Sequence, residues 1–426
     1  MTKGNTTMAP SRGRSRLLKS ALAAASVFGL AVGLAGCAPG GTGGDPEPTN
    51  DGPVTLTWWD YYPDEGAPAQ QVTELLEAYQ DANPNVTIDR EVIAYADLKK
   101  SLLQSAGAAS LPDIVIINSP DHQQFAELGI AANLDDRLAE WGELDQYPEG
   151  LIASATYEDS VYGLPISANC LAMYYNPAML DAAGVDVPTT WAEMEDAAAA
   201  LTTPEHYGFA YSAINNQQAV FQWLPALWQS GADLYDLDSP EAADALDYWA
   251  GLMDSGSVSK EALNWDQAAV ATEFAQGRAA MMINGPWQFP FLASEAPDLE
   301  YEVAPLPQGD EEATVLGGEN YMLIDGPNVD AAWELLKFMQ QPESVELMNI
   351  AGGSLPTRND VAPSSDNPAL QVFADALQVA RPRAYGASYA EIADQVVIAL
   401  QSRMTGAATS KDALAVAAET IAPLLP

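Results

Sequence analysis

Cysteine and histidine are scarce in this chain: its 426 residues include two of each, Cys37 and Cys170, His122 and His206. Two cysteines cannot build a disulfide framework. The histidines stand far apart, with no second His or Cys at ligand spacing, so the usual zinc patterns are excluded and no metal or cofactor is expected. Cations are sparse as well, 17 Lys and Arg against 59 Asp and Glu, for a formal charge of −42. Five of those cations (Lys3, Arg12, Arg14, Arg16, Lys19) fall in the first 36 residues, which hold no carboxylate, leaving −47 on the remainder. Such a field repels phosphate backbones and anionic lipid surfaces, which excludes most nucleic-acid partners. Internal repeats are missing too. The acidity itself names no ligand, and adjacent pairs such as Asp135-Asp136 are expected on solvated surface.

What is present points to export. A basic segment, residues 12–19, runs into an uncharged stretch of mostly Ala, Gly, Leu and Val over residues 21–36, the layout of a secretory signal. This stretch approaches the roughly 20 residues of a membrane span, but Ala and Gly dominate it. Its end, Leu34-Ala35-Gly36-Cys37, resembles the bacterial lipobox, which implies a signal peptide over 1–36 and a diacylated Cys37 as the first mature residue. Residues 37–52, rich in Gly, Pro and Thr, bury nothing and read as a flexible tether. Lipid on Cys37 would leave the protein anchored to the outer face of the cell membrane rather than spanning it.

The remaining length calls for about two domains. Val54-Thr-Leu-Thr-Trp-Trp59 reads as a strand, and Val72, Leu75, Leu76 and Tyr79 recur at helical spacing. Strand signals at 86–92 and 113–117 and a helix around Leu98, Leu102 and Leu103 complete a βαβα pattern, which predicts an α/β fold with a mainly parallel sheet. Ligands of such sheets sit beyond the carboxyl ends of the strands, here Asp60-Tyr61-Tyr62 and Asn118-Ser119-Pro120-Asp121. Residues 163–176 read as an extended crossing. Helices dominate from 191 to about 303, Ala304-Pro-Leu-Pro307 interrupts them, 315–324 looks like one strand, and 331–339 and the last helices after residue 366 follow. Trp58, Trp191, Trp249 and Trp333 are expected in the core; Trp223, Trp228 and Trp265 are left open. Cys170 is expected to be a buried, inert thiol.

Several stretches taken in order, Leu111-Pro-Asp-Ile-Val115, Tyr162-Gly-Leu-Pro165, Met173-Tyr-Tyr-Asn176, residues 183–191, residues 274–287 ending in Asn284-Gly-Pro-Trp287, and Gly352-Gly-Ser-Leu-Pro-Thr-Arg358, resemble the extracellular solute-binding proteins of sugar ABC importers, the family that includes maltose-binding protein. The resemblance covers almost all of the mature chain. It implies a two-lobe periplasmic-binding-protein-like fold with discontinuous lobes, 53–167 with 308–350 and 168–303 with 355–425, joined by three hinge crossings near 165–169, 304–307 and 351–355. It also implies a monomer that captures a carbohydrate between the lobes and delivers it to an ABC permease.

Trp287 matches the family's sugar-stacking tryptophan, whose indole covers the C–H face of a pyranose. Asn169 matches a polar contact on the first crossing, an amide where maltose-binding protein has a carboxylate. Tyr61, Tyr62, Asn118 and Asp121 in strand-end loops, Gly318, Glu319 and Asn320 in a further loop, and Arg358 and Tyr385 in the last segments complete the expected ligand-binding set. Glu319 has the alternative of bracing a loop, and Arg358 that of bracing the hinge. No catalysis is expected. A glycoside hydrolase would need an acid and a base facing a sugar, for which Asp60, Asp121 and Glu319 are the available carboxylates; a polyol, polyamine or phosphate ester is the alternative ligand.

Overall fold

The computed structural model describes residues 52–62, 66–108, 110–362 and 367–426. The expected signal peptide, the lipid site Cys37 and all of the tether but Gly52 lie outside the described residues.

A five-stranded sheet organises the first lobe, in the order Val86–Val92, Val54–Asp60, Ile114–Asn118, Glu319–Leu323, Gly163–Pro165. The first three strands are parallel to one another, while Glu319–Leu323 runs antiparallel to both of its neighbours. Alternation along the central strand decides which helices cover it. Ile114 and Ile116 face a cluster with Leu75, Leu76, Leu335 and Leu336, from the helices Ala67–Ala82 and Val329–Met339. Val115 and Ile117 face Leu98 and Leu102, from the helix Tyr95–Ala108.

The second lobe has a four-stranded sheet in the order Glu302–Ala304, Ala172–Tyr175, Ala279–Asn284, Tyr207–Ala210. Every residue of Ala279–Asn284 is buried. Gly208 lets the helix Trp191–Leu201 lie directly on the sheet, since a Cβ there would stand 1.9 Å from the Ala198 carbonyl oxygen. The C-terminal helices Tyr389–Met404 and Ser410–Ile421 pack with Gln217–Gln229 and Pro240–Asp254. Trp58, Trp249 and Trp333 are buried as expected, Trp223 and Trp228 join the core, and Trp191 is half-buried, stacked on Tyr248 at 4.4 Å. Burial pushes the Cys170 thiol up to about 12.

Three segments cross between the lobes side by side. Residues 166–169 are central: the Ile166 amide donates to the Glu319 carbonyl (2.8 Å), Ala168 exchanges hydrogen bonds with Leu355 (3.1 and 3.0 Å), and Asn169 exchanges them with Gly317 (3.1 and 2.8 Å). The second crossing is therefore at 316–319 and not at 304–307. Residues 308–315 stay with the second lobe: the Gln308 amide donates to the Thr189 carbonyl (2.9 Å), Glu311 donates to Gln229 (3.0 Å), and Thr314–Val315 pairs with Ala380–Arg381. The prolines at 305 and 307 end a strand without moving the chain to the other lobe. Gly317 and Gly318 make the transfer, and both need the missing side chain. A Cβ on Gly317 would lie 2.2 Å from Asn169 Oδ1, and one on Gly318, whose φ is +137°, would lie 2.1 Å from the Ser167 carbonyl oxygen. Residues 357–359, expected in the second lobe, bind the first: Thr357 Oγ1 donates to the Pro165 carbonyl (3.3 Å) and the Asn359 amide to that of Gln146 (2.7 Å).

Candidate functional site

A cavity of about 460 Å³ lies where the strand ends of the first lobe, the crossings and the second lobe meet, within the range of small-molecule sites. The first lobe supplies a wall of tyrosines, Tyr61, Tyr62 and Tyr95, with Asn118 at its edge. Asp60 fixes the Tyr61-Tyr62 loop from beneath. Its fully buried carboxylate accepts from Arg90 Nε (2.6 Å) and Nη2 (2.9 Å), from Trp58 Nε1 (2.8 Å) and from the Tyr62 amide (3.0 Å). Tyr61 packs against Tyr62 at 5.5 Å and edge-on to Tyr95 at 5.1 Å, and Asn118 Nδ2 donates to the Tyr95 hydroxyl at 3.1 Å. Burial raises the Tyr61 and Tyr62 phenols above their ordinary range, with the nearby Glu319 carboxylate adding to it, so they stay protonated as donors.

The second lobe supplies Trp287 and Phe221, whose rings lie 6.2 Å apart. The sequence Asn284-Gly-Pro-Trp287 sets this geometry residue by residue. Asn284 is buried; its Nδ2 donates to the Gln267 carbonyl (2.9 Å) and its Oδ1 accepts from the Gly285 amide (3.0 Å) and Gln288 Nε2 (3.2 Å), tying two cavity-lining segments together. Gly285 makes room for the indole, because a Cβ there would stand 1.8 Å from Trp287 Cζ3. Pro286 opens the single turn Pro286–Gln288, which presents a half-exposed Trp287. Gln217, Gln218 and Asp266 complete this wall.

Asn169, Gly317, Gly318, Glu319 and Arg383 lie where the crossings approach the cavity. Glu319 accepts from the Tyr61 hydroxyl (2.9 Å) and from Ser167 Oγ. Burial raises its carboxyl above the usual range, opposed by those two hydrogen bonds and by Arg383.

Of the expected site residues, Trp287, Asn169, Tyr61, Tyr62, Asn118, Gly318 and Glu319 line one cavity. Four do not. Asp121 turns to Lys99 (2.9 Å). Asn320, one residue past Glu319 on a strand, faces the opposite side and bonds Ser154 (3.0 Å). Arg358 is 4% exposed and held in the first lobe by Glu143 (2.8 Å), Asp360 (2.8 Å) and the Gln340 carbonyl (3.0 Å), over the rings of Trp141 and Tyr147. Tyr385 is buried and accepts from Trp228 Nε1 at 3.1 Å. Of the carboxylates a hydrolase would use, Glu319 alone among Asp60, Asp121 and Glu319 lines the cavity. Tyr95, Phe221, the glutamines, Asp266 and Arg383 were not anticipated. Gln217 and Gln218 sit in a stretch, 215–218, that reads from sequence as a loop; in the structure they open the helix Gln217–Gln229, with Asn216 Oδ1 accepting from the Gln218 amide (2.8 Å).

Residues 74–372 match the sequence profile of a family described as bacterial extracellular solute-binding protein. A maltotriose-binding protein of Pyrococcus abyssi is 26% identical over 343 residues, covering 76% of this chain and 71% of that protein. An ABC transporter solute-binding protein of Thermotoga lettingae, solved with α-D-tagatose, superposes with a TM-score of 0.81 at 26% identity, covering 87% of this chain and 100% of the other. A Streptomyces glaucescens receptor, solved unliganded and in complex with acarbose, gives a TM-score of 0.80 at 25% identity, covering 87% and 98%.

Proposed function

The chain belongs to the bacterial extracellular solute-binding protein family, and on that footing we propose that it captures a carbohydrate between its lobes and delivers it to an ABC permease. The observation that carries the sugar reading is the division of the aromatic groups. Tyrosines of one lobe and a Trp–Phe pair of the other border a single cavity whose remaining groups are amides, hydroxyls and a few charges. Pyranose rings present apolar C–H faces to such surfaces and hydroxyls to polar groups around them. Relatives that bind maltotriose, tagatose and acarbose support the same class. The protein acts by binding and hinge closure, not by catalysis, and it works as a monomer.

Export through the leader and anchoring through a diacylated Cys37 place this capture at the outer face of the membrane. A thermal-shift screen of mono-, di- and trisaccharides tests the ligand class. A sugar at about 100 times its dissociation constant adds roughly 2.7 kcal/mol of stability. Stabilisation by polyols or polyamines with none by any saccharide would replace the carbohydrate reading. Mass spectrometry of the mature N-terminus tests the anchor, which fails if Cys37 carries no diacylglycerol.

A further inference from the structure

Two arginines of the described residues are buried, and they are treated differently. Arg358, away from the cavity, meets two carboxylates and a carbonyl. Arg383, lining the cavity and 7% exposed, forms no ion pair among the described residues. Its guanidinium lies over the Phe221 ring at 4.6 Å and 5.9 Å from that of Tyr389, and its buried Nε has no hydrogen-bond partner. It is rigidly mounted: Pro382 separates it from Ala380–Arg381, which pairs with Thr314–Val315, and the Arg381 carbonyl accepts from the Leu316 amide at 2.8 Å.

The two carboxylates lining the same cavity already have protein donors. Glu319 accepts from Tyr61 and Ser167, and Asp266 accepts from the Ala269 amide at 2.7 Å. A buried guanidinium without a carboxylate is costly, and its planar fork matches a carboxylate in bidentate fashion. Gln217 Oε1, also buried without a partner, lines the cavity as an acceptor for a hydroxyl.

We propose that Arg383 recognises a carboxylate on the ligand, so that the captured saccharide is acidic, a uronic acid or an oligosaccharide containing one. This inference rests on the carbohydrate reading above. Glu319 lies close by, but its carboxylate is engaged by two hydroxyls, those of Tyr61 and Ser167. The charge of −47 on the exported part opposes long-range approach of an anion. At physiological salt that field is screened beyond about 8 Å, while a pair inside the cavity is not.

The test is calorimetry on the full chain at 0.15 M salt with glucuronate, galacturonate, digalacturonate and a glucuronyl-glucose disaccharide, each against its neutral counterpart. The acidic member of at least one pair is expected to bind tenfold or more tightly than its counterpart. Arg383→Gln should erase that preference and Arg383→Lys retain part of it. A neutral sugar that binds as well as or better than its acidic counterpart overturns the proposal and leaves the carbohydrate reading standing, and this comparison needs only the wild-type protein. An equal loss for both members of a pair in a folded Arg383→Gln variant also overturns it. Absence of binding by every saccharide, acidic or neutral, removes both readings together.

Discussion

Gly285→Ala tests the tryptophan platform without touching the tryptophan. The backbone at Gly285 is extended, with φ −105° and ψ 174°, a conformation alanine adopts without strain. The added methyl would lie 1.8, 2.1 and 2.3 Å from Cζ3, Cη2 and Cε3 of Trp287. Ordinary carbon contacts are about 3.5–4 Å, so the indole must retreat by roughly 1.5–2 Å, and Trp287, half-buried, borders the cavity into which it can be displaced. Displacing a half-exposed ring costs less than the about 1–3 kcal/mol of overpacking a closed core, and the loss of glycine's unfolded-state freedom offsets about 0.4–1 kcal/mol of it. Stability should therefore change by about 1 kcal/mol. Affinity should fall by more: losing an aromatic anchor costs about 2 kcal/mol, roughly 30-fold. Denaturant unfolding and calorimetry on Gly285→Ala, Trp287→Ala and the double variant separate the effects. If the methyl acts only through the indole, Gly285→Ala has no further effect on affinity once Trp287 is alanine. Wild-type affinity in a folded Gly285→Ala protein, or equal losses with and without the indole, would refute the reasoning.

Asp60→Asn strips the charge from a fully buried carboxylate and leaves Arg90 without its bidentate partner; a loss of about 3 kcal/mol or more in urea unfolding is expected, with weaker ligand binding because the Tyr61-Tyr62 loop loses its anchor. His122 is buried, its Nε2 3.0 Å from the Tyr162 carbonyl oxygen, and burial lowers its imidazole to about 4 from the ordinary 6.5. Above pH 6.5 neither the folded nor the unfolded chain binds this proton; between 6.5 and 4 the unfolded chain takes it up and the folded one does not, so stability falls as pH falls, by about 3 kcal/mol near pH 4. The His122→Gln variant should show a stability–pH curve flatter by that amount, and an unchanged curve would show that the proton is not excluded. Gly318→Ala places a methyl 2.1 Å from the Ser167 carbonyl at φ +137° and should destabilise the crossing by about 1–3 kcal/mol. Small-angle scattering of the wild-type protein should show contraction at ligand saturation, and its absence would argue against hinge closure.

The legible parts of the fold are those in which one local signal dominates. Val72, Leu75, Leu76 and Tyr79 are buried on one side of a helix because their spacing leaves no other face, and Ile114 to Ile117 form a central strand because covering both sides demands four apolar residues in a row. The Asn284-Gly-Pro-Trp287 turn was legible through its resemblance to a family motif, and the structure adds a separate local task for each of its residues. The second crossing was not. Residues 315–324 read as one strand, and the break at Gly317-Gly318 depends on how closely residues 167 and 169, about 150 positions earlier, approach. The two buried arginines show the same limit. Sequence singled out Arg358 and passed over Arg383, the one that lines the cavity, since Arg358 finds Glu143 and Arg383 finds the Phe221 ring only after the chain has folded. Phe221 sits in the helix Gln217–Gln229, most of whose residues are buried, and nothing in its pattern separates the one ring that borders a cavity from its core neighbours.

If the lobes close on a ligand as proposed, the placement of Asn169 and Glu319 would link occupancy of the cavity to the hinge. Asn169 lies on the central crossing and pairs through its backbone with Gly317 on the second. Glu319 opens the strand that follows that second crossing, and its carboxylate joins the Tyr61 loop of the first lobe to Ser167 of the central crossing. On that proposal, a ligand touching either side chain would meet groups whose partners belong to the crossings and to both sides of the cavity. The aromatic walls act in the same direction: the tyrosines belong to one lobe and the Trp–Phe pair to the other, so a bound ring contacts both only when they approach. A ligand shifts a conformational equilibrium only by its difference in affinity for the two states. On the proposed closure, that difference would arise from the division of the cavity between lobes, and a solute too small to reach both walls would bind without driving closure.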